Sequence, residues 1–327
     1  MSGYHIAVVG ATGLVGRTML RVLEERKFPV RRLSAFASSR SAGETLEFQG
    51  KECIVQELKE DSFTEDMDIA LFSAGAAISA QFAPLAAARG IDVVDNSSQW
   101  RMKEEIPLVV PEVNPEDLSG YQGIIANPNC STIQCMPPLK VLRDLYGLKR
   151  VIFSTYQAAA GAGMKGLEDL KNGTKHAFDH VLKLNVLPRI DVFLENGYTK
   201  EEMKMIDETR KILHLPKLAV TATAVRVPVD FGHSISVNVE LENDFTLEDV
   251  RHAMQKQDGI ILEDDPENLI YPYPELCKGN DAIYVGRIRR DESCPNTLNF
   301  FCVADNIRKG AATNSVQIAE LLVRGRL

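Results

Sequence analysis

One stretch of this 327-residue chain pairs a nucleophile with a backbone setting that would activate it: Asn127-Pro128-Asn129-Cys130-Ser131-Thr132. It follows a short apolar run, Gly123-Ile124-Ile125-Ala126, that reads as a buried strand ended by Pro128. A helical pattern follows, so Cys130 falls where a strand hands over to a helix. Unpaired N–H groups and the positive end of the helix dipole favour an anion there, hence thiolate over thiol. A thiolate so placed suits covalent catalysis. The alternative for the same residue is a small buried apolar side chain, the common state of an unpaired cysteine. Pro137-Pro138, further along the helix, predicts a kink or a restart.

A second chemical feature is Gly10-Ala11-Thr12-Gly13-Leu14-Val15-Gly16, which joins the first strand to the first helix. Glycines in that place let the backbone approach a pyrophosphate lying on the helix N-terminus. Gly10, Thr12, Gly13, Leu14, Val15 and Gly16 are therefore candidate cofactor ligands; a tight turn with no ligand is the alternative. At the end of the second strand the chain reads Ala37-Ser38-Ser39-Arg40-Ser41, with no carboxylate for a ribose hydroxyl. A guanidinium and hydroxyls at Ser38, Arg40 and Ser41 suit a 2′-phosphate, so the expected cofactor is NADP, not NAD.

The elements that would position these groups are legible from periodicity. His5–Val9, Arg31–Ala37, Ile69–Phe72 and Val93-Val94 are apolar runs, separated by helical patterns over Leu14–Lys27 and Ala80–Arg89. Continuous apolar strands with helices between them indicate a parallel sheet covered on both faces. Past about residue 150 the pattern changes: Ser234–Leu241 alternates, and Leu298–Val303 resembles a partner strand. These predict an antiparallel sheet with one face solvated or in an interface. Thr199 with Glu202, and Thr246 with Asp249, have capping-box spacing for two helices, and 310–324 reads as a last helix.

Composition excludes several classes. Net charge is −8 with no basic stripe, which argues against nucleic acid and anionic membranes as partners. The six cysteines lack both a disulfide-scaffold pattern and zinc-ligand spacing, so no metal is expected. No apolar run approaches the ~20 residues of a spanning helix, and the first residues lack a signal-type segment. A reducing cytoplasm is the expected location.

Taken in order, the motifs resemble aspartate-β-semialdehyde dehydrogenases over essentially the whole chain. They are G-A-T-G-L-V-G, D-N-S-S-x-x-R-M (95–102), N-P-N-C-S-T (127–132), Y-Q-A-A-A-G-A-G (156–163), N-G-Y-T-K-E-E-M-K (196–204), R-V-P-V-x-x-G-H (226–233) and A-D-N-I-R-K-G-A-A (304–312). The resemblance implies an α/β fold like that of glyceraldehyde-3-phosphate dehydrogenase. A Rossmann-type doubly wound parallel sheet would occupy 1–129, completed by a C-terminal helix over 306–327. An α+β catalytic and dimerisation domain with a largely antiparallel sheet would occupy 130–305.

The implied reaction is NADPH-dependent reduction of β-aspartyl phosphate to aspartate semialdehyde and phosphate, on the route to lysine, threonine and methionine. By the same resemblance Cys130 forms a thioester, His233 is the acid/base and Gln157 orients substrate. Arg226 takes the substrate carboxylate and Glu201 its ammonium. Arg101 and Lys204 hold phosphate, with Asn129 assisting. Ala160, Gly161 and Asn306 would join the cofactor site, and a homodimer or tetramer is expected. Glu201 and Lys204, three apart on one helix, would otherwise read as a surface ion pair.

Four positions depart from the family pattern: Gln99-Trp100 for Ala-Phe, Ala160 for Ser, and Ile235 where Glu is expected two residues after His233. The nearest competing reading is N-acetyl-γ-glutamyl-phosphate reductase, whose cysteine is typically followed by Tyr-Pro-Thr; a non-catalytic NADP-binding paralogue is the other. Such a paralogue should have lost Cys130 or His233, and both are present.

Overall fold

Fourteen strands and eight α-helices are present in a computed structural model, which describes residues 3–324. In chain order the first ten elements are β1 (Tyr4–Val9), α1 (Leu14–Glu25), β2 (Val30–Ala37), β3 (Thr45–Phe48), β4 (Lys51–Ile54), β5 (Gln56–Glu57), β6 (Ile69–Phe72), α2 (Ala76–Ala87), β7 (Asp92–Asp95) and β8 (Ile124–Ala126). Next come α3 (Cys130–Tyr146), β9 (Leu148–Gln157), α4 (Gly163–Asn172), α5 (Lys200–Ile212), β10 (Ala219–Arg226) and β11 (His233–Leu241). The last are α6 (Leu247–Lys256), β12 (Ile260–Leu262), α7 (Pro274–Cys277), β13 (Ile283–Arg290), β14 (Thr297–Ala304) and α8 (Thr313–Arg324). The chain divides into two units, the described parts of Met1–Pro128 with Ala311–Leu327, and Asn129–Gly310.

In the first unit six strands pair in the order β5-β2-β1-β6-β7-β8, every pair parallel. β6, β7 and β8 are buried along their whole length; β6 and β8 read as unbroken apolar runs for that reason, while β7 has Val93-Val94 between buried Asp92 and Asp95. Strand order reverses between β1 and β6, the switch point outside which such sheets bind ligands. α1 buries Met19, Leu20, Val22 and Leu23 on one face. Val316, Ile318, Ala319, Leu322 and Val323 of α8 join the same core. A two-bond pair from Arg26 to Glu320, both 2.7 Å, ties α8 to the end of α1. Of the helix expected over 306–327, residues 325–327 lie outside the described residues, and a π-type turn at Arg308–Ala312 precedes α8.

The second unit holds a mixed, mostly antiparallel sheet in the order β10-β9-β11-β14-β13-β12. Its three central pairings are antiparallel, while β9–β10 and β12–β13 at the edges are parallel. Val151, Phe153, Ile235, Val237, Val239, Leu298 and Phe300 are buried. On β9 and β14 the alternate positions include Tyr156 and Phe301, whose rings lie 6.3 Å apart and keep part of their surface exposed. β9, β10 and β13 were not marked by periodicity.

Of the kink or restart expected at Pro137-Pro138, the restart does not occur: α3 continues as one helix over 17 residues. Each proline removes one helix bond, at a cost of about 3 kcal/mol or more in an exposed helix. Here every residue from Ser131 to Leu139 is buried, and that packing holds the helix together.

Candidate active site

Asn129 starts α3 and fixes Cys130 through three different groups. Its Oδ1 accepts from the N–H groups of Ser131 (2.9 Å) and Thr132 (3.4 Å), the N-cap bonds. Its Nδ2 donates to Glu201 Oε1 at 2.9 Å, and its own N–H donates to Glu208 Oε2 at 2.6 Å. Cys130 is thus the first residue of a capped helix whose first turn contains no acid. Gly310 faces it closely: a Cβ there would lie 3.0 Å from Cys130 Cβ.

The other cysteines are set differently. Cys135 is fully buried with its Sγ 3.8 Å from that of Cys302, and burial pushes its thiol well above the ordinary range. Burial, with the charge of Asp305, pushes Cys277 up to about 12. Burial likewise raises Cys53. These three are held as thiols, and Cys130 alone begins a long helix.

Strand register assembles the rest. Arg226, the last residue of β10, pairs with Gln157, the last of β9. Across β9, Ser234 of β11 pairs with Tyr156, which puts His233 at the same sheet edge. Three side chains far apart in sequence therefore converge because three neighbouring strands end together. Arg226 Nη1 donates to Ala158 O at 2.7 Å, and its guanidinium lies 5.8 Å from the Phe178 ring centre. Burial lowers Arg226 from its ordinary value, opposed by the charges of Glu201 and Cys130. Gly161 is obligatory for this approach: a Cβ there would sit 2.7 Å from Arg226 Nη1 and 3.2 Å from His233 Cε1.

α5 carries the acids and a base. Its Thr199–Glu202 capping box is present as expected. Glu201 and Lys204 share a face, with Nζ to Oε2 at 3.1 Å, yet Glu201 is only 5% exposed, so the reading as a surface pair fails. Lys204 also reaches Asp191 Oδ2 at 2.9 Å. Burial pushes the Glu201 carboxyl up, but Lys204, the Asn129 amide and Arg226 more than offset it, leaving it below the ordinary range. Burial lowers Lys204 and its two carboxylates raise it further, so the net is upward. Gln157 Nε2 donates to Thr155 Oγ1 at 3.3 Å and more weakly to Glu201 Oε1 at 3.4 Å. A cavity of about 280 Å³ opens beside these groups, lined by Ala162, Phe178, Leu187, Arg189, Asp191 and Arg226 among others.

The second unit thus brings together Asn129, Cys130, Gln157, Glu201, Lys204, Arg226 and His233. Asn306 lies in the same unit; its Oδ1 accepts from Gly232 N–H at 3.0 Å, while its buried Nδ2 has no partner among the described residues. Ala160 and Gly161 occupy a short turn after β9. Arg101 belongs to the first unit, where its Nε and Nη2 donate to Asn127 O and Asn96 O, both at 2.9 Å. Trp100, one of the departures, donates to Ser79 Oγ at 2.8 Å, and Ile235 is fully buried in the sheet core. Glu208, Asp191 and Gly310 were missed. Glu208 had a signal, since it lies seven residues after Glu201 on the same helix face.

In the first unit the glycine loop has the shape a phosphate cradle needs. Gly10 has φ +83°, and a Cβ at Gly16 would lie 2.2 Å from Gly10 O. α1 opens at Leu14 and Val15 with no side-chain cap and no acid in its first turn. Its first N–H groups therefore point to an open end. Thr12 Oγ1 donates to Ser41 Oγ at 3.4 Å, which joins the loop to the end of β2. Ser38 and Arg40 are exposed, and Arg40 has no ion-pair partner among the described residues.

A parallel sheet with a glycine cradle, and a second sheet presenting a helix-start cysteine among buried charges, define a class of two-domain dehydrogenase acting on an acyl or aldehyde carbon. Two family descriptions match in the same order: "Semialdehyde dehydrogenase, NAD binding domain" over 5–121 and "Semialdehyde dehydrogenase, dimerisation domain" over 139–309. The aspartate-semialdehyde dehydrogenase of Aquifex aeolicus is 53% identical, with 98% of each chain covered. The solved Vibrio cholerae aspartate semialdehyde dehydrogenase II, complexed with ASA, superposes with a TM-score of 0.96 at 45% identity and 99% coverage of each chain. The Candida albicans enzyme, solved with NADP, gives 0.79 at 26% identity and 99% coverage of each. The chain belongs to the aspartate-semialdehyde dehydrogenase family.

Proposed function

We propose that the chain catalyses the NADP-dependent interconversion of β-aspartyl phosphate with aspartate semialdehyde and phosphate, through a thioester on Cys130. The observation that carries this is the placement of Cys130 at the capped start of α3, in the field of the buried Arg226. The thiolate attacks the acyl carbon, and the phosphate departs with the electron pair of its C–O bond. Arg226, planar and facing the cavity, takes the α-carboxylate, which Glu201 would repel. Glu201, kept ionised by its surroundings, takes the ammonium. Lys204 and Arg101 hold the phosphate, and Gln157 orients the carbonyl without adding charge.

The glycine loop, the uncapped start of α1 and the unpaired Arg40 fit a pyrophosphate and a 2′-phosphate, and the unpartnered Nδ2 of Asn306 fits a carboxamide acceptor. NADP bound there supplies or accepts hydride at the acyl carbon. Among the described residues no helix is long and apolar enough to cross a membrane. A cytoplasmic enzyme working as a homodimer through the exposed sheet face is the finer reading. The reverse assay tests the whole proposal: aspartate semialdehyde, phosphate and NADP should yield NADPH, and omission of phosphate should abolish it. Equal rates with and without phosphate would remove acyl phosphate from the reaction.

A further inference from the structure

Lys204 is held by two carboxylates, and only one of them has a use in the reaction. Its Nζ donates to Glu201 Oε2 at 3.1 Å and to Asp191 Oδ2 at 2.9 Å. Glu201 is assigned to the substrate ammonium. Asp191 has no such part, although it lines the same cavity as Arg226. Two carboxylates around one ammonium make the three groups together negative, a poor setting for a phosphate. We propose that Asp191 is a positioning residue that competes with phosphate for Lys204, holding the ammonium in the anion-free enzyme and taking it back as phosphate leaves. The proposal deepens the thioester reading above and rests on its assignment of phosphate to Lys204.

Asp191 is built as the fixed member of the pair. It lies in the connection between α4 and α5, which is pinned on either side of it. Before it, Leu187 N–H donates to Arg226 O at 2.9 Å and Arg226 N–H to Leu187 O at 2.8 Å. After it, Lys200 N–H donates to Val192 O at 2.9 Å. Asp191 itself takes φ +69°, a left-handed conformation that Asp tolerates better than most residues. Its Oδ1 accepts from the Val192 N–H at 2.9 Å, which leaves Oδ2 for Lys204. Lysine, by contrast, is a point charge on a flexible four-carbon stem. The ammonium moves and the carboxylate stays.

Both partners stay ionised through the exchange. Burial raises the Asp191 carboxyl, but Lys204, the Val192 N–H and the charge of Lys200 hold it below its ordinary range. The exchange therefore moves no proton. As phosphate departs with the electron pair of its C–O bond, the Lys204 hydrogen bond to a phosphate oxygen is replaced by the one to Asp191 Oδ2. Two anions bound to one ammonium stand within about 5 Å of each other and repel. Phosphate is thus held loosely, and it leaves once the thioester has formed.

Kinetics and direct binding on the intact enzyme test this. Asp191→Asn keeps an acceptor for the Val192 N–H and tolerates the left-handed conformation, while it removes the charge. In the reverse assay its KM for phosphate should fall about three- to tenfold, the scale of one like charge lost beside a partly exposed site. The KM for aspartate semialdehyde should change less than about twofold. Asp191→Gly, which also suits a positive φ, should shift the phosphate KM the same way. Titration calorimetry with inorganic phosphate alone should show the same tightening. In a Lys204→Ala background the added Asp191→Asn should change the phosphate KM less than about twofold, because the ammonium they compete for is gone. A residue that merely supported the fold would weaken phosphate binding when replaced, so an unchanged or raised phosphate KM in Asp191→Asn overturns the proposal. So does a gain that survives without Lys204, which would trace to the general field of the site. If the wild type reduces NADP equally well without phosphate, the acyl-phosphate reading falls, and calorimetry with phosphate still decides the role of Asp191.

Discussion

The glycine loop of the first unit and the strand edge of the second offer a ligand opposite surroundings. The loop uses main chain: close-packed glycines, an uncapped helix start, and one unpaired guanidinium at its rim. The strand edge uses side chains taken out of water, with Arg226, Glu201 and His233 all buried and each tuned by its neighbours. A main-chain cradle tolerates change at its side chains, because its donors are N–H groups. A desolvated side-chain cluster does not, since removing one partner strands the others. Side-chain truncations should therefore be far costlier at the strand edge than at the loop, where it is the glycines that admit no substitute.

The largest effect is expected at the nucleophile. Cys130→Ala should abolish turnover while NADP binding and thermal stability stay near wild type. Cys135, buried against Cys302, cannot replace it. Appreciable NADPH formation by the Ala variant would sink the covalent route.

Arg226→Lys comes next. The lysine keeps the charge but cannot reproduce the bond to Ala158 O together with a planar fork toward substrate. A loss of about 10²-fold in kcat/KM for the semialdehyde is expected, roughly the worth of one charge-assisted pair. The KM for phosphate should move much less. If only the phosphate KM rose, the two ends of the substrate would have to be exchanged.

How much of this was readable from sequence follows the same division. The loop is local: Gly10 to Gly16 and Ser38 to Ser41 lie on either side of α1 and β2, so spacing alone marks them. The strands β6, β7 and β8 were plain for the same reason. The strand edge is not local. Arg226, Gln157 and His233 meet only through the register of β10, β9 and β11, which no short window contains. β9 itself was hidden by Lys149, Arg150 and Ser154 interleaved with its apolar residues. Family motifs supplied those residues; periodicity did not. Glu208 was passed over although it shares a helix face with Glu201, because its bond goes to a backbone N–H 79 positions away. α4, with Gly163 and Gly166 in its first turns and no side-chain cap, gave no helical signal.

At the loop, Arg40→Ala should raise the KM for NADP at least about tenfold and leave that for NAD almost unchanged, as expected for one lost bond to a 2′-phosphate. Steady-state kinetics with both dinucleotides would check it. Parallel weakening of the two would show that Arg40 serves the fold of the loop and not the phosphate.

The smallest effect is one of stability, and it again separates the two regions. His233 is held neutral in the folded protein, with its value lowered well below the ordinary 6.5. The unfolded chain takes up that proton as pH falls through about 6.5, while the folded chain does not. Folded-state stability should therefore be unaffected above that pH and decline below it. The decline stops once the folded ring itself is protonated. One proton gives a slope of at most about 1.4 kcal/mol per pH unit. Denaturant melts of the wild type and of His233→Gln, compared from pH 7.5 to 5.5, should differ by that slope below pH 6.5 and run parallel above it. Arg40→Ala should follow the wild type throughout, because Arg40 is exposed at the loop. Identical pH profiles for wild type and His233→Gln would mean that the ring gains its proton as readily folded as unfolded, and the contrast between a main-chain site and a desolvated one would lose its clearest case.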